Sequence, residues 1–488
     1  MKMKIKLGNL HFSYEGELDK MIETVPSSIL NYYRDVNKLY SEYMRMNKPY
    51  SENRPDRSDS FPANGHDIYN YVARYGLANF QIQAVIQLDA HLDFSKLSRA
   101  VRISIDTQPV LGCRLVENEL PYWRRLDNID STTFCSMEET ENKDVAIQRF
   151  LESPLDMDRD PMVKIKLIRS GMTDTLCIKN NHACCDGTGT KEYLQLLSEI
   201  YSAIDQDKDI FYTKQGKRGR KDQDRLFSEL GIADPEVEWI PGSEITRATW
   251  PFPWTQGQSD KTRITACRFS QGQLDEMTRY SKARNATIND MILAAYYRAM
   301  SEMGTPDYSE LMEIPVTVDL RRYLPDHKTE AIRNFSGSEF TKLALLPNES
   351  FEETLARIAP MMNEIKNSRP GLQSAIGLER VEKLTFSETL AYYKIVSEWP
   401  KVCGDKCAPV LSNLGVISKP VIKFGNIIVT DAYIVPPVVR TPGLLLMAST
   451  YNGIITLAAG IYEGSIALEN IETLLNKIKN QLVEACKF

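Results

Sequence analysis

Histidine is scarce in this chain, with five among 488 residues. Neither sign of charge dominates: 59 Lys and Arg against 65 Asp and Glu leave a net charge of -6. That balance lacks the basic footprint of a nucleic-acid binder, so no nucleic-acid partner is expected. Long apolar runs are missing too. The segment GLLLMAST is too short to cross a bilayer, so no membrane span is expected. The opening residues, MKMKIKLGNLHFSYEGELDK, alternate basic and apolar side chains and hold no run of signal-peptide length. A cytoplasmic location is the expectation. Nine cysteines, an odd number, argue for free thiols over a disulfide framework. Cys403 and Cys407 (CGDKC) have no second Cys/His pair at ligand spacing, so no metal site is expected.

What is present is a core-forming composition, 42% hydrophobic, in a chain too long for one ordinary domain. Residues 1–60 read as a polar N-terminal extension with a helix over 29–43. A first lobe is expected over 61–205. QIQAVIQL places Ile82, Ala84, Ile86 and Leu88 on one strand face. LDFSKLSRAVRISI then spaces Leu97, Ala100, Val101 and Ile105 helically, with Asp93 or Ser95 as the cap. VKIKLI alternates through Val163, Ile165 and Leu167, and KEYLQLLSEIYSAI carries a helical stripe of Tyr193, Leu196, Leu197 and Ile200. Residues 206–262 break the rhythm with charge, Pro, Gly and Trp and read as a crossover. Its basic patch KQGKRGRK suits a solvated loop better than a phosphate or acidic partner. A second lobe is expected over 263–488, with strands in EIPVTVDL, NIIVTDAYIV, GLLLMAST and IITLAAGIY. A last helix carries Ile471, Leu474, Leu475, Ile478 and Leu482. Strand and helix alternation in both halves predicts an α/β fold with mixed sheets.

The chemistry concentrates in CIKNNHACCDGTG, residues 177–189. His182 follows a strand and precedes a glycine-containing turn, a junction that presents a side chain to a cleft. A neutral imidazole, with a pKa near ~6.5, is well suited to accept a proton at neutral pH. Asp186, four residues on, has three candidate roles: bonding the loop backbone, pairing with a distant arginine, or touching the imidazole. Gly187 and Gly189 allow the loop to fold back sharply. A rival reading makes Cys184 or Cys185 a nucleophile with His182 as its base, but no cysteine-enzyme signature surrounds them.

In this context, H-A-C-C-D-G resembles the H-x-x-x-D-G acyltransferase superfamily. That group includes chloramphenicol acetyltransferase, carnitine and plant alcohol acyltransferases, wax ester synthases and the condensation domains of peptide synthetases. FPANGHDIYNYVARYGLANFQIQAVIQL, SPLDMDRDPMVKIKLI, ATINDMILAA, VTVDLRRYLP, NFSG and SNLG are similar to its other landmarks, so the resemblance runs from residue 61 to the end. It is nearest the bacterial alcohol acetyltransferase-like, stand-alone branch. The resemblance implies two chloramphenicol-acetyltransferase-like lobes, pseudo-duplicated around a central tunnel, which could work as a monomer. It implies His182 as general base in direct transfer, with no acyl-enzyme. Asp186 would hold the loop through a salt bridge, with Arg321 as its candidate partner. Gly187 would let the pantetheine arm or a loop approach closely. Ser336, Ser412 and Asn413 are candidate oxyanion or substrate donors, with turn chemistry as their alternative. No tightly bound cofactor is implied; acyl-CoA or an acyl-phosphopantetheine carrier protein would be the donor, and a small alcohol or amine the acceptor.

Two departures matter. Condensation domains carry two adjacent histidines where this chain has Asn181 and His182, which favours ester-forming relatives. The plant D-F-G-W-G signature is absent. Three functions are therefore weighed: an acyltransferase, a stand-alone condensation enzyme, and a non-catalytic carrier-protein-binding module.

Overall fold

The computed structural model describes residues 2–7, 10–15, 59–206, 221–235, 246–255, 257, 259–397 and 403–487. The helix expected over 29–43 and most of the basic patch lie outside the described residues.

Two mixed sheets organise the chain. The first contains, in spatial order, Lys423–Phe424, Ile427–Val435, Gln81–Leu88, Thr173–Asn181, Val163–Ser170 and Cys135–Glu139. Its expected strand face, Ile82, Ala84, Ile86 and Leu88, points into the first core together with Val163, Ile165 and Leu167. Helices Phe94–Thr107 and Gly187–Asp205 pack on that side. Asp93 is the cap of the former, accepting from the backbone of Ser95 and Lys96. The opposite face of Gln81–Leu88 is also covered: Val85 packs with Ala146, Ile147 and Leu151 of helix Lys143–Glu152.

The second sheet runs Thr262–Arg268, Ile454–Tyr462, Gly443–Tyr451, Lys406–Val416, Leu311–Asp319 and Ser336–Ala344, and Trp250–Pro251 pairs with Lys406–Val416. Helices Ile288–Ser301, Phe351–Asn367 and Leu468–Ala485 build its core. Ile471, Leu474, Leu475, Ile478 and Leu482 are all buried there, as their spacing requires.

The lobes do not follow the sequence boundaries drawn at 61–205, 206–262 and 263–488. Strand Ile427–Val435, from the second half, pairs antiparallel with Gln81–Leu88 and so belongs to the first sheet. The described residues within 206–262 do more than link. Trp250 and Phe252 are buried in the second core, and the Trp250 indole N–H donates to the Glu313 carbonyl at 2.8 Å. Proline, glycine and tryptophan made this stretch look loop-like, whereas burial of its aromatics is a tertiary event. Helix Lys143–Glu152 also ties the lobes together: the Ile264 N–H donates to Glu152 Oε1 at 3.2 Å, and Gln148 Nε2 donates to the Ile264 carbonyl at 2.8 Å.

Candidate active site

Strand Thr173–Asn181 carries the chain to His182, whose N–H extends the ladder to the Phe80 carbonyl at 2.7 Å. A tight turn follows, closed by Cys184 N–H to the Asn181 carbonyl at 3.0 Å. Asp186 then caps helix Gly187–Asp205, its Oδ1 accepting from the Gly189 N–H at 2.7 Å. The four-residue spacing from histidine to aspartate is thus the length of a strand-to-helix turn, with the aspartate at the helix start.

Asp186 is 3% exposed, so every lone pair it cannot fill would be costly. The second half supplies the partners. Arg321 grips both oxygens, Nη1 to Oδ2 at 2.9 Å and Nη2 to Oδ1 at 3.3 Å, and the Phe335 N–H donates to Oδ2 at 2.8 Å. Of the three candidate roles, Asp186 takes two, backbone bonding and the arginine pair; no hydrogen bond among the described residues joins it to the imidazole. Burial pushes its carboxyl up, but Arg321 and the two N–H donors more than offset this and hold it below the usual carboxylate range. Arg321 is buried, and also reaches Asp319 (3.2 Å), the Arg333 carbonyl (3.1 Å) and Glu192 (3.2 Å).

The His182 ring is half-buried, 5.5 Å from the Phe80 ring. Its Nδ1 lies 3.0 Å from Asn334 Oδ1. The Asn334 amide orientation is set independently, because its Nδ2 donates to the carbonyls of His182 at 2.7 Å and Ala183 at 2.8 Å. Its oxygen must therefore face the imidazole. An amide oxygen only accepts, so Nδ1 carries the proton and Nε2 the lone pair. Burial lowers the His182 pKa from its ordinary value, against the opposing charge of Asp186 and the Asn334 bond. The ring is accordingly neutral at pH 7 with a basic Nε2.

Asn334 was not among the residues singled out from the sequence. The sequence does carry a signal for it, since Asn334 opens the NFSG motif that contains Ser336. Ser336 instead meets a second unanticipated residue. The buried His66 donates from Nε2 to the Ser336 carbonyl at 3.1 Å, and burial drops its pKa to about 4.

Ser412 and Asn413 lie on strand Lys406–Val416, where a register shift interrupts the ladder between Asn413 and Val416. Ser412 Oγ accepts from Thr317, and Asn413 bonds Asn289 and the Gly415 N–H. Among the described residues, no hydrogen bond joins Ser336, Ser412 or Asn413 to His182. The segment is nevertheless seated on the loop, with Lys191 donating to the Leu414 carbonyl at 2.8 Å. A Cβ on Gly187 would sit 2.5 Å from Leu414 Cδ2. This corrects the backbone-angle expectation for the two glycines, while a close approach at Gly187 is made by Leu414. Neither Gly187 nor Gly189 needs a left-handed backbone; both leave room, Gly187 for Leu414, and Gly189 for Cys185 and the Arg333 carbonyl, which an added Cβ would meet at 2.9 and 3.1 Å.

Asn181 spends its side chain on the Ala183 N–H (2.9 Å) and on Met157 Sδ (2.7 Å), which fixes the turn. The thiols fit a nucleophile poorly. Cys184 and Cys185 are fully buried, and burial raises the Cys184 pKa well above the ordinary thiol value. No group of three or more potential metal ligands occurs among the described residues, and none of their helices is long and apolar enough to span a membrane.

No family model matches the chain. Two curated proteins of Mycobacterium tuberculosis, both described as uncharacterized, are 22% identical to it over 304 residues, spanning 59% of this chain and 68% of each relative. Solved structures align over most of the length. The TRI3 trichothecene 15-O-acetyltransferase from Fusarium sporotrichioides has a TM-score of 0.65 at 12% identity, covering 88% of this chain and 96% of its own. Polyketide synthase associated protein 5 from Mycobacterium tuberculosis has a TM-score of 0.59 at 16% identity, covering 87% and 99%. The first condensation domain of the CDA synthetase has a TM-score of 0.60 at 14% identity, covering 88% and 98%. The chain thus has the two-lobed, chloramphenicol-acetyltransferase-like fold of these three structures.

Proposed function

We propose that this chain is an acyltransferase that moves an acyl group from a CoA or carrier-protein thioester to an alcohol or amine. The observation that carries the reading is His182 Nδ1 3.0 Å from the Oδ1 of Asn334, an amide fixed by its own two donated bonds, which assigns the proton to Nδ1 and the lone pair to Nε2. Nε2 takes the proton of the acceptor O–H or N–H as that atom attacks the thioester carbonyl. The tetrahedral oxyanion then collapses, the C–S bond breaks, and the imidazolium returns the proton to the departing thiolate. The products are an ester or amide and a free thiol. No acyl-enzyme is required, in keeping with the buried, poorly ionised Cys184.

Ester formation is favoured over peptide-type condensation because Asn181 stands before His182 and its side chain is committed to the turn. The test is incubation of the purified chain with a series of acyl-CoAs, and separately with acyl-loaded carrier protein, plus alcohol or amine acceptors. Thiol release and product mass are followed. Transfer by the wild type, falling about 10²–10⁴-fold in His182→Ala, supports the reading. An unchanged rate in that variant, or no transfer from either donor class, overturns it.

A further inference from the structure

Residues 330–336 form the brace through which the second half reaches the histidine loop. The Arg333 carbonyl accepts from Arg321 Nη2 at 3.1 Å and from the Asp186 N–H at 3.4 Å. Asn334 holds His182, and Phe335 N–H donates to Asp186. These groups face the loop. Behind the brace stands helix Lys221–Glu229, inside the stretch that the sequence presents as a linker.

Asp222, in the first turn of that helix, is 0% exposed. Both its oxygens accept from the Glu330 N–H, at 3.1 and 3.2 Å, and its Oδ2 lies 3.1 Å from Arg333 Nη1. Arg225, 3.6 Å from Asp222 and 3.7 Å from Asp326, adds a further charge. The helix is itself anchored. Leu226 packs with Leu320, Leu324 and Phe335, Phe227 packs with Leu372 and Ile376, and Gln223 donates to the Ala375 carbonyl at 3.3 Å. A buried carboxylate on a seated helix therefore grips the residue immediately before Asn334.

We propose that Asp222 is a positioning residue for His182, acting through Glu330, Arg333 and Asn334 to hold the imidazole with its proton on Nδ1. It touches no reacting atom. The geometry leaves little slack. The Asn334–His182 bond is 3.0 Å long, and a slide of roughly 0.5 Å carries it to the limit of a useful hydrogen bond. Once that bond fails, the side-chain acceptor that favours the Nδ1 proton is lost, and only the backbone partners at His182 and Cys185 remain to the ring. The crossover segment thus carries part of the site's alignment as well as joining the lobes.

This rests on the reading of His182 as the base, so the test uses a readout that does not need turnover. Nitrogen-15 spectra of histidine-labelled protein report which ring nitrogen is protonated. At neutral pH the wild type should show His182 with Nδ1 protonated and Nε2 bare. Asp222→Asn, which keeps shape and removes charge, should average the two tautomers. It should also lower kcat roughly 10- to 100-fold with KM little changed. Arg333→Gln, on the other side of the contact, should give the same spectral change and decides the matter if the first variant does not fold. Glu229→Gln, exposed at the far end of the helix, should change neither. A wild-type His182 signature in the folded variants, whatever their rate, overturns the proposal and leaves Asp222 a merely structural residue. If the tautomer shifts but the wild type transfers no acyl group, the positioning role stands and the transferase reading falls.

Discussion

Replacing Arg321 by methionine tests the electrostatic logic of the site most directly. The guanidinium side chain is 2% exposed and the Asp186 side chain 5%, so solvent screens their interaction little. Removing one partner of such a pair strands the other charge, at a cost of about 3–5 kcal/mol. That is a large share of a typical folding stability of roughly 5–15 kcal/mol. The pH dependence distinguishes this from simple loss of packing. In the wild type the folded pKa of Asp186 is depressed, so its contribution is present above the unfolded value of 3.8 and lost as pH falls through the folded one. In the variant the arginine is gone and burial dominates, so the folded pKa rises above 3.8 and the variant regains stability as pH falls through that raised value toward 3.8. Glu192, which burial already pushes up to about 7 against the opposing Arg321 charge, moves in the same direction. The gap between wild type and variant should therefore be widest at neutral pH and narrow on acidification toward pH 5. Urea unfolding followed by circular dichroism measures it. A gap below about 1 kcal/mol at pH 7, the range of exposed pairs, or one that does not change with pH, would refute the reasoning.

Two further outcomes follow from the same geometry. Because burial holds His182 below the ordinary 6.5, kcat/KM should be flat above pH 7 and fall only as the ring protonates on the acid side, below 6.5; an acid limb centred above 6.5 contradicts this. Gly187→Ala should cost about 1–3 kcal/mol, because its Cβ would meet Leu414 Cδ2 at 2.5 Å, and Leu414→Ala in the same chain should recover most of the loss in thermal unfolding. No recovery in the double variant would mean that Gly187 is needed for something other than the space Leu414 occupies.

The strand exchange has a consequence for how the halves behave. Ile427–Val435 is donated to the first sheet while its sequence neighbours on both sides, Lys406–Val416 and Gly443–Tyr451, remain in the second. Separation of the lobes would break that antiparallel ladder along with the contacts of helix Lys143–Glu152. His182 and Asp186 from one half and Arg321, Asn334 and Phe335 from the other are therefore held at fixed distance by the fold and not by their own contacts alone.

Local pattern sufficed for much of this. Alternation marked Gln81–Leu88 and Val163–Ser170 as strands, helical spacing marked the buried stripe of the last helix, and the strand, histidine, aspartate and glycine in series pointed to the loop at His182. Those features depend on residues a few positions apart, so they can be read along the chain. What pairs with what was decided elsewhere. The strand Ile427–Val435 looks like its neighbours in sequence, and only its partner strand assigns it to the first sheet. Asn334 lies 152 positions from His182 and became the group that fixes its tautomer. Asp222, in a stretch whose composition suggests a linker, became a buried anchor. Each of these depends on contacts between residues far apart in sequence, made when a buried polar group must find its partner, and no periodicity records which partner it finds.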